Sequence, residues 1–305
     1  MSRSGYYRDA SHLVDWSNNL FFNEFKDRNF TFVIGDEYVK VHKMIVKVSS
    51  AKFGKLFKEW SNEGITSVNV GTQSITGEAV SAKSFRLFIQ YCYTGSLNWK
   101  EVDDTDILDL LALCHEFGFP EFANVLADNV QRSSFLNAWN VWYFFEASNV
   151  YELQNLRNHS ISFLSNAVSL WNVWAYYEAS KTHEVQALRD SCIRFIDRHA
   201  VEALNEQRMY SLDPVSLKNI VGRDTLFAKE IDILKAVVAY LKVNKMPYDQ
   251  KSKELIDVVR WSFITKREFT ETLLPLGLVS EQFHADRNKE FEEIKQSKRQ
   301  NPDRY

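Results

Sequence analysis

The chain has 305 residues, a net charge of −3 and a composition of 45% hydrophobic and 25% charged residues, which suits about two globular domains. This balance excludes a broad electrostatic footprint for nucleic acid or anionic lipid. Cys92, Cys114 and Cys192 are odd in number and widely separated, which excludes a disulfide framework and implies a reducing, cytoplasmic setting.

Residues 1–17 read as a polar lead-in that lacks the apolar core of a secretory signal. No run approaches the ~18 apolar residues of a membrane span. Leu20, Phe21, Phe22 and Phe25 predict a short amphipathic helix. Phe30, Phe32 and Ile34 alternate as in a half-buried strand, Gly35-Asp36-Glu37 turns the chain, and Tyr38, Val39 and Val41 form a second strand. Met44, Ile45 and Val48 then fall at helical spacing. Ser49-Ser50 caps a further helix with the stripe Phe53, Leu56 and Phe57, ending near Trp60. A polar loop over 61–64 leads to a third strand, Ser67 to Gly71. Phe85, Phe88, Ile89 and Cys92 mark a helix closed by Gly95. Asp103 to Phe117 is a helix with an acidic start, and Pro120 opens the next, which runs to about Gln131.

Beyond residue 135 the chain is helical and contains a repeat. Trp139-Asn-Val-Trp142 returns as Trp171-Asn-Val-Trp174, a period of 32 that also carries Glu146-Ala-Ser148 into Glu178-Ala-Ser180. Each copy predicts a helical hairpin that stacks on its neighbour. The paired tryptophans are expected to share one buried helix face, with one of each pair able to reach the surface and anchor a partner. The tail after His284 is of mixed charge.

The sequence carries no phosphate loop, no glycine-flanked serine nucleophile and no second Cys/His pair at zinc spacing. His42 reads as a structural residue at a strand-to-helix junction. No cofactor, metal or catalytic residue is expected, and the function should be binding alone.

The run from Phe30 to Phe57, with His42-Lys43, the apolar stretch Met44 to Val48, Ser50 and Phe53, resembles the core of the BTB/POZ fold. Tyr93-Thr94-Gly95 after an aromatic-rich helix adds to the likeness. The segment Ser216 to Val221, the Arg223-Asp224 turn and Glu230 to Ala236 resemble the BACK domain that follows BTB in many proteins, and a later run, Val258-Val259-Arg260 through Leu276-Gly277-Leu278, is similar to one branch of them. The resemblance implies a mainly α chain with a small α/β N-terminal domain. A BTB/POZ domain at 18–131 would precede an all-helical BACK-like domain of hairpins at 135–280 and a charged tail at 281–305.

It also implies function. BTB domains typically dimerise, and many joined to BACK are substrate adaptors for cullin-3 ubiquitin ligases. The family's buried Asp and basic residue at the dimer interface correspond to Asn29 and Lys43. The acid is thus an amide here, and two readings stay open: Asp27 or Asp36 replaces it, or the dimer is weaker than usual. The family's apolar-x-Glu cullin contact falls on Trp60 and Asn62, with Glu63 one place late. The helices after BTB extend that contact, where Trp142 and Phe145 are candidates. The expected partners are therefore cullin-3, a second copy or another BTB protein, and a protein substrate. Members usually recruit substrate through a kelch, discoidin-like or other C-terminal domain, and only residues 281–305 follow here. Substrate is therefore expected on the BACK helices, the tail or a partner BTB protein. The alternative is a dimerising scaffold without a ligase role.

Overall fold

A computed structural model describes residues 28–132, 135–247 and 249–273, with isolated positions between 286 and 296. They form two compact units divided between Phe163 and Leu164. The helix expected around Leu20–Phe25 and most of the charged tail lie outside the described residues.

In the first unit, strand β1 (Phe30–Ile34) buries Phe30, Phe32 and Ile34 on one face, as the alternation requires. A two-residue turn with Gly35 at φ 55° leads into β2 (Glu37–Val41), antiparallel to β1 with Ile34 opposite Glu37. Glu37, expected in the turn, is therefore the first residue of β2. Tyr38, expected among the strand's apolar contacts, alternates outward and is 69% exposed. Strand β3 (Ser67–Asn69) is shorter than the run to Gly71 and pairs parallel to the other edge of β1, giving the order β2-β1-β3. Parallel pairing needs a crossover, and helices α1 (Lys43–Ser49) and α2 (Ala51–Asn62) supply it.

Ser50 caps α2 by accepting the Phe53 N–H, and its own hydroxyl donates to the Phe117 carbonyl at 2.8 Å. Helix α1 buries only Val46, whereas Met44 and Val48 stand 68% and 74% exposed. The two lie four residues apart on a helix packed from one side, so they share its outer face. The end of α2 also departs from expectation. Its last turn continues through Asn62, and Gly64, at φ 71°, closes it while the Ile65 N–H bonds the Trp60 carbonyl at 2.8 Å. That left-handed closure turns half of the expected loop into helix.

Helices α3 (Ala82–Thr94), α4 (Asp104–Phe117) and α5 (Pro120–Arg132) complete an aromatic core with the sheet and α2. Gly95 in the left-handed region ends α3, and a reciprocal Asp103–Asp106 capping box opens α4. The hairpin of α6 (Val141–Val150) and α7 (Gln154–Asn166) follows.

The second unit is helical throughout its described residues: α8 (Val173–Thr182), α9 (Gln186–Arg198), α10 (Ala200–Leu204), α11 (Pro214–Val221), α12 (Glu230–Val243), α13 (Gln250–Asp257) and α14 (Lys266–Leu273). Helix α12 buries Ile233, Leu234, Val237, Tyr240 and Leu241, and the Tyr240 hydroxyl donates to the Leu212 carbonyl at 2.7 Å.

One copy of the repeat belongs to each unit, and the period persists in the backbone. Glu152 and Glu184 occupy the left-handed region at φ 58° and 55°. The next residues, buried Leu153 and Val185, donate their N–H groups to the Ser148 and Ser180 carbonyls. Ser148 and Ser180 each return a hydroxyl to the carbonyl three residues earlier. The copied residues thus build the same helix-ending turn twice.

Candidate interaction surfaces

The two stretches that carry the likeness in the first unit meet each other. The Tyr93 hydroxyl accepts the His42 backbone N–H at 2.7 Å and pairs with the ring Nδ1 at 2.9 Å. Burial pushes the Tyr93 phenol above its ordinary value, which keeps it neutral. His42 is thus a junction residue that ties the start of α1 to the end of α3. Sequence reasoning found both residues and missed the bond between them.

Asn29 accepts the Lys43 backbone N–H at 3.0 Å, which fixes the first turn of α1. The Lys43 ammonium turns to the Ser61 hydroxyl at 2.5 Å, and Ser61 donates onward to the Phe57 carbonyl. No ion pair of Lys43 occurs among the described residues. Within the chain, Asp36 forms no ion pair with Lys43 among the described residues, and Asp27 lies outside them. Met44, next to Lys43 in the chain, shares the exposed face of α1 with Val48.

Trp60, Asn62 and Glu63 separate into two environments. Trp60 turns inward, stacking on Phe30 with centroids 5.4 Å apart and meeting Phe57 edge-on at 5.0 Å. Asn62 and Glu63 are exposed at the C-terminal end of α2. Trp60 is therefore a packing residue, and replacing it would disturb the sheet as well as any surface.

In α6 the inward and outward residues also differ from expectation. Phe145 is fully buried, with Trp142 edge-on to it at 5.8 Å and the Arg157 guanidinium over its ring. It has no surface to offer a partner. Trp139 and Trp142 do not share a buried face, because Trp139 sits in the turn before α6 and is 88% exposed. Buried Asn140 explains the turn. Its side chain accepts the Asn137 N–H at 2.8 Å and donates to the Phe135 carbonyl and to Asp104, each at 2.8 Å. Asn172 repeats the arrangement, accepting from the Ser169 N–H and donating to the Ala167 carbonyl. Trp171 is accordingly exposed at 60%, while Trp174 is buried and donates its indole N–H to the Ala203 carbonyl. The signal for this was the asparagine kept in both copies of WNVW. Trp139, Tyr143 and Val150, spaced by four and seven, form an exposed apolar stripe along α6 and its lead-in turn.

The second unit is braced by ion pairs at the residues that carry its likeness. Arg260 bonds Glu230 through its side chain at 2.6 Å and its backbone N–H at 3.0 Å, and reaches Asp224 at 3.2 Å. Arg223 clamps Asp197 with two bonds of 3.0 and 3.1 Å. Lys181 donates to Asp213 at 2.8 Å and to Ser216 at 2.5 Å. Burial opposes the Asp213 charge, yet Lys181 and the Ser216 hydroxyl and N–H hold its carboxyl well below the usual range, while the Asp213 bond raises Lys181 above its own. A depressed carboxyl stabilises above its unfolded pKa of about 3.9 and loses that contribution as pH falls further. Asp213→Asn should therefore cost about 0.5–1 kcal/mol near neutrality, screening included, with the deficit vanishing in strong acid. Urea midpoints of both proteins across an acid series check this.

Burial pushes the Cys92 and Cys192 thiols up to about 12, so both stay protonated at neutral pH. Among the described residues no cluster of three or more His, Cys, Asp or Glu side chains is placed to hold a metal. No described helix is long and apolar enough to cross a membrane.

Comparison with known proteins agrees with these arrangements. Residues 19–134 match the BTB/POZ domain family, and residues 173–274 match BACK, the family described as BTB And C-terminal Kelch. The chain thus carries a BTB/POZ domain followed by a BACK domain. It is similar to BTB/POZ domain-containing protein 9 of Homo sapiens, with 26% identity over 250 residues, 82% of this chain and 34% of that protein. The Drosophila melanogaster protein of the same name is 21% identical over 248 residues, 81% of this chain and 28% of its own length. The chain thus spans about a third of the length of the curated relatives it matches. Its domains mark it as a protein-interaction module.

Proposed function

We propose that the chain is a non-catalytic, self-associating adaptor that joins a cullin-3 ubiquitin ligase to a protein substrate. The observation that carries this reading is the exposed stripe of Trp139, Tyr143 and Val150 on the first hairpin after the BTB region. Exposed Trp and Tyr on a rigid helix suit a partner-binding hot spot. Asn62 and Glu63 at the end of α2 supply polar contacts in the same reading, and Trp139 and Tyr143 take the place that buried Phe145 cannot fill. Met44 and Val48 on the exposed face of α1 support self-association with a second copy or another BTB protein. They offer apolar area where the Asn29 position provides no acid.

Calorimetry of the whole chain against the cullin-3 N-terminal domain tests this. Binding should weaken about tenfold or more in Trp139→Ala and in Tyr143→Ala, while circular dichroism stays unchanged because both side chains face solvent. No heat from the folded wild-type protein would favour the second reading, a BTB scaffold that dimerises through α1 without a ligase role.

A further inference from the structure

We propose that Trp171 and Arg208 of the second unit form a docking point for an acidic segment of a partner protein. The exposure of Trp171 is built into the fold. Asn172, itself buried, holds the preceding turn through the Ser169 N–H and the Ala167 carbonyl, which leaves the indole outside. Arg208, from 37 residues further along the chain, then fixes that indole from a second direction. It donates to the Trp171 carbonyl at 2.5 Å and sets its guanidinium 5.4 Å from the ring centroid. An aromatic face and a planar cation are thereby pre-ordered together at the surface, which lowers the entropy lost on binding.

The charge selects the partner. The ion pairs of this unit engage Lys181, Lys218, Arg223, Arg260 and Arg267. Arg208 enters none among the described residues, so its remaining donors suit a carboxylate fork. The ring beside it suits an apolar side chain next to that carboxylate. Phe227, 84% exposed on the same unit, has no cation paired with it among the described residues and serves as the apolar control.

The test is fluorescence anisotropy of the whole chain with a short, capped, labelled peptide in which one phenylalanine lies between runs of glutamate. Its glutamine counterpart and an oligothymidylate of equal charge are measured alongside. The acidic peptide should bind best. Its affinity should fall about tenfold in Trp171→Ala and in Arg208→Gln, less in Arg208→Lys, and remain unchanged in Phe227→Ala. Equal thermal melting of the variants shows that the fold persists. Three results each overturn the proposal: no preference for glutamate over glutamine, equal binding by the substituted chains, or tighter binding of the oligothymidylate, which would point to a nucleic acid instead.

Discussion

Phe53→Ala should remove about 3–5 kcal/mol from the first unit, a large part of the stability available to a domain. Phe53 is fully buried and joins every layer of that core. Its ring stacks on Phe117 at 4.6 Å and lies within 6.2 Å of Phe32, Phe57, Phe88 and Phe119. These neighbours come from β1, α2, α3, α4 and the α4–α5 link, so no single element can shift to fill the vacated space. Phe53→Leu, which keeps most of the volume, should cost about 1.5 kcal/mol or less. Denaturant titration followed by near-ultraviolet circular dichroism measures both. A Phe53→Ala cost no larger than that of Phe53→Leu would mean the core relaxes in a way this ring lattice does not allow.

Arg260→Ala should destabilise the second unit by about 3–5 kcal/mol, and Glu230→Ala by less. The asymmetry follows from exposure. The Glu230 carboxylate is only 6% exposed and the Arg260 side chain 40%. Removing arginine strands a buried charge, whereas removing glutamate leaves a cation that still reaches water and Asp224. The double variant should cost less than the sum of the two, because the stranded charge is gone. Urea midpoints of the four proteins give the coupling, and strict additivity would show that the pair contributes nothing.

Much of this architecture was legible in the sequence. Alternation placed β1, spacing placed the helices, and the serine, aspartate and glycine caps fell where the backbone has unpaired groups to satisfy. The order of weak motifs sufficed for the family. The surfaces were less legible, for a physical reason. Helical periodicity says that a face is apolar but not whether the fold covers it, and Met44, Val48 and Trp139 are apolar residues that it leaves outside. Trp60 shows a mixed case, a half-buried residue whose ring stacks on Phe30 while part of it stays at the surface. Arg260 shows a third case. Its partner Glu230 lies 30 positions away, and no local pattern announces a bond over that distance.

The parallel pairing of β3 bears on how the chain comes off the ribosome. Strand β1 meets β2 across a two-residue turn, but Thr31 faces Ser67, 36 positions later. The hairpin can close as soon as it emerges, whereas β3 must wait for both crossover helices. During that interval one edge of β1 carries unpaired amides beside Phe30 and Phe32, the arrangement most prone to capture by another nascent chain. The β1–β3 pairing is therefore expected to form after the β1–β2 hairpin, and the α1–α2 crossover sets when that edge is covered.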